Sequence, residues 1–363
     1  MDPASTPAIY ASIDIGSHTI RLLIARYLGD KTLVPLLWER RVTRLAKGFR
    51  EGGILQESRM NLSTRVLEEY RDCMGRFGVE AVACGATGVV RRAENGGRWL
   101  ETVRKATGIH GKILSEEEEA FLSAKGILGV LSVSRGHVLA FDLGGSTTEF
   151  LLMDARRGRM LWSTSVFIGA ATLTEHYFRD DPVSSDSLER AQAAVFQTLS
   201  ETFQGLASVL SECGVSAEEL LLVGTAGTVT TLGAMFLRME RYDPSLLNGL
   251  MLEKDWICHT LEQLAGRPIR ERRGIPGLEE GREDIILGGT LIVREILSFL
   301  GKDALIVSDA GLLEGLLFRL VEERLGWPGG LQTPLRWCLP KGVGHPQPLE
   351  LDQQIETNHG EAQ

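Results

Sequence analysis

Nothing in this sequence approaches the run of about 18 apolar residues that a membrane-spanning helix needs. Its first residues show neither the basic start nor the apolar stretch of a secretory leader. Cysteine is scarce, with Cys73, Cys84, Cys213, Cys258 and Cys338 showing no C-x-x-C and no metal-ligand spacing. That excludes a zinc ribbon or a disulfide scaffold and reads as reduced thiols in a cytoplasmic protein. No G-x-x-x-x-G-K-[ST] loop occurs, so the Walker-type nucleotide site is absent, and no His-Asp dipeptide is found. Positive charge is also in deficit: the formal net charge of −9 argues against a general nucleic-acid binder. An anionic substrate must therefore be captured locally, against a repulsive overall field. Among the basic residues arginine outnumbers lysine, and a guanidinium is the better phosphate fork. A length of 363 residues favours two domains and leaves ample material for a core.

What is present is organised around the stretch 138–152, two apolar runs flanking a turn of glycines and hydroxyls: Asp142-Leu-Gly144-Gly145-Ser146-Thr147-Thr148-Glu149. The pattern predicts strand, tight turn and strand. Glycines let backbone N–H groups approach an anion, and hydroxyls add donors. Asp142 and Glu149 bracket the turn, and two carboxylates so placed suit a hard cation such as Mg²⁺. A second copy lies near the start, Asp14-Ile-Gly16-Ser17-His18-Thr19-Ile-Arg21. A shift of 128 positions superimposes Asp14 on Asp142, Gly16 on Gly144 and Thr19 on Thr147, and sets Arg21 on Glu149. Such a repeat predicts two related half-molecules with an anion held between them.

Two further apolar strands run into Gly/Thr turns that open helices: Thr87-Gly88-Val-Val-Arg91-Arg92-Ala-Glu-Asn95, and Gly224-Thr225-Ala226-Gly227-Thr228. Helix N-termini carry free N–H groups and favour anions. Arg91 and Arg92 read either as phosphate contacts or as a solvated helix face. Ser115 with Glu118 three residues on forms a capping box for a helix running toward Leu131. Acidic residues in a first turn stabilise the helix by themselves, so a functional glutamate among Glu116–Glu119 needs a separate reason. Helical spacing is also read over 57–76, 188–213 and 248–273. Alternating strands and helices imply an α/β architecture. Residues 1–8 read as a disordered lead, and 329–363, rich in Pro, Gly, Gln and Glu, as a flexible tail.

Taken as a set these motifs resemble the exopolyphosphatase/guanosine pentaphosphate phosphatase (Ppx/GppA) family over roughly residues 9–325. The two Asp-Gly-Thr turns resemble its phosphate motifs. Thr87–Asn95 resembles its T-x-x-x-R-x-A-x-N segment, and Glu118-Glu119-Ala120 its Glu-Glu-Ala signature. Gly224–Thr228, Arg282–Gly288 and Ser308–Gly315 follow in the family's order. The resemblance implies two ribonuclease-H-like domains around a cleft, as in the actin, sugar kinase and heat-shock chaperone superfamily. These are expected at 9–122 and 123–307, with the last helix (308–326) packing back on the first domain. It implies hydrolysis of terminal phosphate from polyphosphate or pppGpp with Mg²⁺, or Mn²⁺ in its place, by a homodimer. Carried over by motif, Glu119 is the catalytic base. Asp142, Glu149 and Asp14 hold the metal. Ser17, His18, Thr19, Arg21, Thr87, Arg91, Gly144, Gly145, Ser146, Thr147, Gly224 and Gly227 contact phosphate. Departures are His18 and Thr19 for Asn and Ser, Ser146 for a third glycine, and Leu313 for an arginine. A kinase of the same superfamily and a non-hydrolysing polyphosphate or alarmone sensor are the competing readings.

Overall fold

The computed structural model describes residues 6–49, 53–327 and 329–338. The chain begins with the meander β1 (Ala8–Ile15), β2 (Thr19–Tyr27) and β3 (Thr32–Val42). There follow α1 (Glu57–Phe77), β4 (Ala81–Ala86), α2 (Val89–Arg92), α3 (Gly96–Thr107), β5 (Gly111–Ile113) and α4 (Glu116–Val130). A second meander, β6 (His137–Leu143), β7 (Thr148–Asp154) and β8 (Arg159–Val166), leads into α5 (Ala170–Tyr177) and α6 (Ser185–Cys213). Then come β9 (Leu221–Thr225), α7 (Ala226–Phe236), α8 (Pro244–Leu247), β10 (Met251–Glu253), α9 (Lys254–Ala265) and α10 (Ile269–Arg272). The chain continues with α11 (Ile286–Phe299), β11 (Ala304–Val307), α12 (Leu312–Arg324) and β12 (Arg336–Trp337).

The two sheets share a five-strand topology, with a sixth strand added at opposite edges. The first runs β12-β3-β2-β1-β4-β5 and the second β10-β11-β9-β6-β7-β8. In each, three antiparallel meander strands join two strands parallel to the first: β1 to β4 to β5, and β6 to β9 to β11. β1 and β6 are central strands covered on both faces, hence their near-continuous apolar runs. This is the pair of related halves that the repeat predicts, in the ribonuclease-H-like form that the resemblance implies.

Two helices join the halves. Ala124, Ile127 and Leu128 of α4 bury against Val138, Ala140, Leu151 and Val223 of the second sheet. Leu313, Leu317 and Phe318 of α12 bury against Tyr10, Leu23 and Ala25 of the first. The division expected at 122/123 thus falls inside one continuous helix. The two helices meet backbone to backbone: a Cβ on Gly315 would lie 1.8 Å from the Leu122 carbonyl oxygen, and one on Gly126 2.0 Å from that of Gly311. Between them lies a buried ion pair, Lys125 Nζ to Glu322 Oε2 at 2.8 Å.

Two expectations are corrected here. Residues 329–338, expected as the start of a flexible tail, dock instead. Leu331 packs beside Ala124 and Leu151, Leu335 packs beside Leu33, and Lys125 Nζ donates to the Gly330 carbonyl at 2.6 Å. β12 then adds in parallel to β3. Two leucines suffice to anchor a segment whose composition reads as tail. Residues 339–363 of the expected tail and 1–5 of the expected lead lie outside the described residues, while Ala8 of that lead already belongs to β1. The stretch 248–273 is not all helix, because Met251–Glu253 alternates exposed, buried, exposed and forms the edge strand of the second sheet, paired with β11.

Candidate functional site

The duplicated turns close identically. Gly16 N–H donates to Thr19 O at 3.0 Å, and Gly144 N–H to Thr147 O at 3.0 Å. A Cβ on either glycine would crowd that same oxygen, at 3.1 and 3.2 Å. Asp14 faces Arg21 across the β1–β2 hairpin, and Asp142 faces Glu149 across β6–β7. Arg21 donates to Asp14 Oδ2 from Nη2 at 2.7 Å and from Nε at 3.1 Å, leaving the buried Asp14 Oδ1 without a partner. Burial acts to lower the Arg21 pKa, but Asp14, Glu314 and Asp142 hold the guanidinium above its ordinary value. In the second half two carboxylates stand where the first has an ion pair. Burial, then the charge of Glu149, pushes the Asp142 carboxyl up to about 7, against Arg21 and helped by Glu119 and Asp14. Ser165 Oγ donates to Glu149 Oε1 at 3.0 Å.

Glu119 enters from the first turn of α4. The capping box forms as expected, with Glu118 N–H donating to Ser115 Oγ at 3.1 Å. Glu118 is spent on that cap and on Lys112, and Glu116 is 86% exposed. Glu119 alone turns inward. Arg91 Nη1 holds its Oε2 at 2.7 Å and also donates to Leu114 O at 3.0 Å. Burial raises the Glu119 carboxyl, Arg91 opposes, and Asp14 and Glu149 push the same way as burial. Asp14, Arg21, Glu119, Asp142 and Glu149 therefore share one electrostatic neighbourhood between the halves.

The remaining predicted residues divide. Thr87 N–H closes on Ile15 O at 3.1 Å, bringing the third turn beside the first. Gly88 has φ +49°, and its missing Cβ leaves room for Ser17 Oγ, which accepts from Val89 N–H at 3.0 Å. Ser17 is thus already engaged at the start of α2. Gly145 and Ser146 are exposed, and the Gly145 carbonyl accepts from Ala171 and Thr172, tying the second turn to α5. Gly224 does not join the site. It lies within β9, where a Cβ would sit 2.8 Å from the Phe141 ring, and its carbonyl accepts from Ser308. Close strand packing, not anion approach, requires that glycine. Gly227 carries the Arg282 guanidinium, whose Nη2 lies 2.1 Å from where a Cβ would be. Ala226 beside it has φ +69°. Burial, then Arg44, Arg282 and Arg40, holds the exposed His18 below its ordinary pKa.

Several residues of this region escape sequence reasoning. Glu314 Oε2 accepts from Gly311 N–H at 2.9 Å at the start of α12. Burial pushes its carboxyl up to about 7, against that N–H and Arg21. Tyr242 donates to Asp309 Oδ1 at 2.7 Å. Glu279 pairs with both Arg40 and Arg282. The glutamate three residues after Gly311 is a readable cap signal, but nothing local announces the others.

A three-carboxylate metal set of Asp14, Asp142 and Glu149 is not assembled: among the described residues no three His, Cys, Asp or Glu side chains gather closely enough to hold an ion. Arg21 takes Asp14 instead. Asp142 and Glu149 remain as a like-charged pair, and Asp14 Oδ1 is an orphaned buried oxygen. Two carboxylates completed by phosphate oxygens and water suit Mg²⁺, which seldom uses an all-protein cage.

The family profile of the Ppx/GppA phosphatases matches residues 23–324. The crystal structure of the Aquifex aeolicus Ppx/GppA family member superposes with a TM-score of 0.73 at 32% identity, covering 88% of this chain and 99% of that one. Exopolyphosphatase 2 of Mycobacterium tuberculosis is 27% identical over 322 residues, 85% of this chain and 98% of the relative. The guanosine-5'-triphosphate,3'-diphosphate pyrophosphatase of Aliivibrio fischeri is 26% identical over 326 residues, 89% of this chain but 61% of the relative. Across the longer curated relatives the chain spans 47% to 61% of their length. With its duplicated halves, paired turns and inward glutamate, the chain belongs to the Ppx/GppA phosphatase family.

Proposed function

We propose that this protein is a phosphohydrolase that removes the terminal phosphate of a phosphoanhydride chain, with inorganic polyphosphate or pppGpp as the substrate class. The observation that carries the reading is the convergence of Glu119, held by Arg91, on the gap between the Asp14/Arg21 and Asp142/Glu149 turns. Phosphoryl transfer needs an in-line nucleophile and charge neutralisation on the transferred oxygens, with little covalent help. The two turns and Arg21 supply donors for those oxygens. Glu119, raised by its surroundings, is the base: it takes the proton of a water whose oxygen attacks the terminal phosphorus. The bridging P–O bond breaks, the shortened chain keeps the electron pair, and orthophosphate leaves. A divalent cation bound at Asp142 and Glu149, Mg²⁺ or Mn²⁺, would supply charge neutralisation on the phosphate. Arg91 keeps Glu119 directed inward. No helix among the described residues is long and apolar enough to cross a membrane, in keeping with a diffusible anionic substrate.

Orthophosphate release from long polyphosphate, tripolyphosphate and pppGpp, compared between wild type and Glu119→Gln, tests the reading. Wild-type activity must fall by roughly 10²–10⁴ in the variant, the range for a general base. Tight binding without release by the wild type would return the sensor reading, and transfer of labelled phosphate to a non-water acceptor the kinase reading. A homodimer is proposed alongside, and a single-chain mass by light scattering would refute it.

A further inference from the structure

The row Asp14–Arg21 extends one strand further, because Arg21 faces Arg40 across β2–β3. Residues in register on neighbouring strands share a face about 5 Å apart. Two arginines side by side repel unless anions lie between or beside them. Arg21 is answered by Asp14 within its own half. Arg40 is answered by Glu279, 239 residues away on the other half, and Glu279 also pairs with Arg282. The Arg282 guanidinium lies flat on Gly227 at the start of α7.

Two guanidinium groups, Arg40 from the first half and Arg282 from the second, thus share a single carboxylate, one strand away from the Asp14/Arg21 pair. We propose that Arg40 and Arg282 form a second anion subsite, which takes the phosphates trailing behind the reacting one, and that Glu279 is its built-in competitor. The inference rests on the reading of the cleft as a phosphate-chain site. It deepens that reading by assigning the two ends of the bound chain: terminal phosphate at the carboxylate-rich turns, interior phosphates at the two arginines. A chain of three or more phosphates reaches the subsite and displaces Glu279, whereas pyrophosphate gains little from it. Glu279 in the meantime bridges the two halves through Arg40 and Arg282, so entry of a long chain exchanges one cross-cleft anion for another.

The test is a chain-length series of pyrophosphate, tripolyphosphate and longer polyphosphate, read as KM for wild type, Arg40→Ala and Glu279→Gln. Arg40 is 51% and Glu279 36% exposed, so both variants are expected to fold, which thermal unfolding checks. Arg40→Ala should raise KM for tripolyphosphate about tenfold, the loss of one charge-assisted contact, and raise that for pyrophosphate far less. Glu279→Gln should lower KM for tripolyphosphate. Opposite signs are the signature of a competitor. Were the pair only a clamp between the halves, both variants would shift KM in the same direction and the proposal would fall. It would fall too if Arg40→Ala acted equally at every chain length. Calorimetric binding of tripolyphosphate to the same variants in a Glu119→Gln background reads the subsite without turnover. If wild type released no phosphate yet affinities still moved in opposite directions, the hydrolytic reading would fail and the subsite would stand.

Discussion

The two halves of this molecule carry the same turn with different charges. On the first sheet the row across the meander is Asp14, Arg21, Arg40, and on the second Asp142, Glu149, Ser165. The glycine-to-threonine hydrogen bond that closes each turn has the same length in both. One half therefore arrives neutralised, with an arginine ready for phosphate. The other sets two carboxylates side by side, and burial, then the charge of Glu149, pushes the Asp142 carboxyl up to about 7 against Arg21. Backbone geometry is duplicated while charge is divided, and the proposed catalytic centre draws on both halves.

The strongest way to break this division is Glu119→Gln, which removes the proposed base and should cost roughly 10²–10⁴ in orthophosphate release. Glu149→Gln sharpens it next. Relieved of its like-charged neighbour, Asp142 should titrate lower, and metal-supported activity should fall by about 10²-fold, measured as rate against Mg²⁺ concentration.

Disturbing the joint has a smaller effect. Gly315→Ala forces α12 off the Leu122 carbonyl and should cost about 1–3 kcal/mol in denaturant unfolding. Gly75→Ala in α1, where a Cβ meets nothing within 4 Å, should stabilise by about 0.5–1 kcal/mol. The subtlest comparison uses Glu314, which faces Arg21 and Asp309 from α12. Between its ordinary 4.5 and about 7 the unfolded chain has released this proton while the folded protein keeps it. Its contribution to stability is therefore complete below pH 4.5 and is lost as pH rises through 7. Glu314→Gln should flatten that slope and raise stability at pH 8 by up to about 3 kcal/mol, seen as Tm against pH.

Much of this was legible before any coordinates. The repeat relating Asp14 to Asp142 reappears as register, because a hairpin turn fixes which residues face each other. Ser115 and Glu118 form the expected cap, and Gly78 ends α1 with φ +68°. Gly224 packs within β9 against Phe141, and a glycine that serves strand packing looks the same in sequence as one that serves a turn. The docked segment 329–338 was hidden by its composition, since two buried leucines outweigh many polar neighbours.

By itself the sequence determined the turns, the caps and the alternation of strands and helices, all set by interactions within a few residues. Only the tertiary structure decided that Glu119 and not its neighbours turns inward, that Arg21 pairs with Asp14, and that Arg40, Glu279 and Arg282 meet across the two halves. Those outcomes depend on how the two halves meet through α4 and α12, and no local pattern encodes a contact made across that joint.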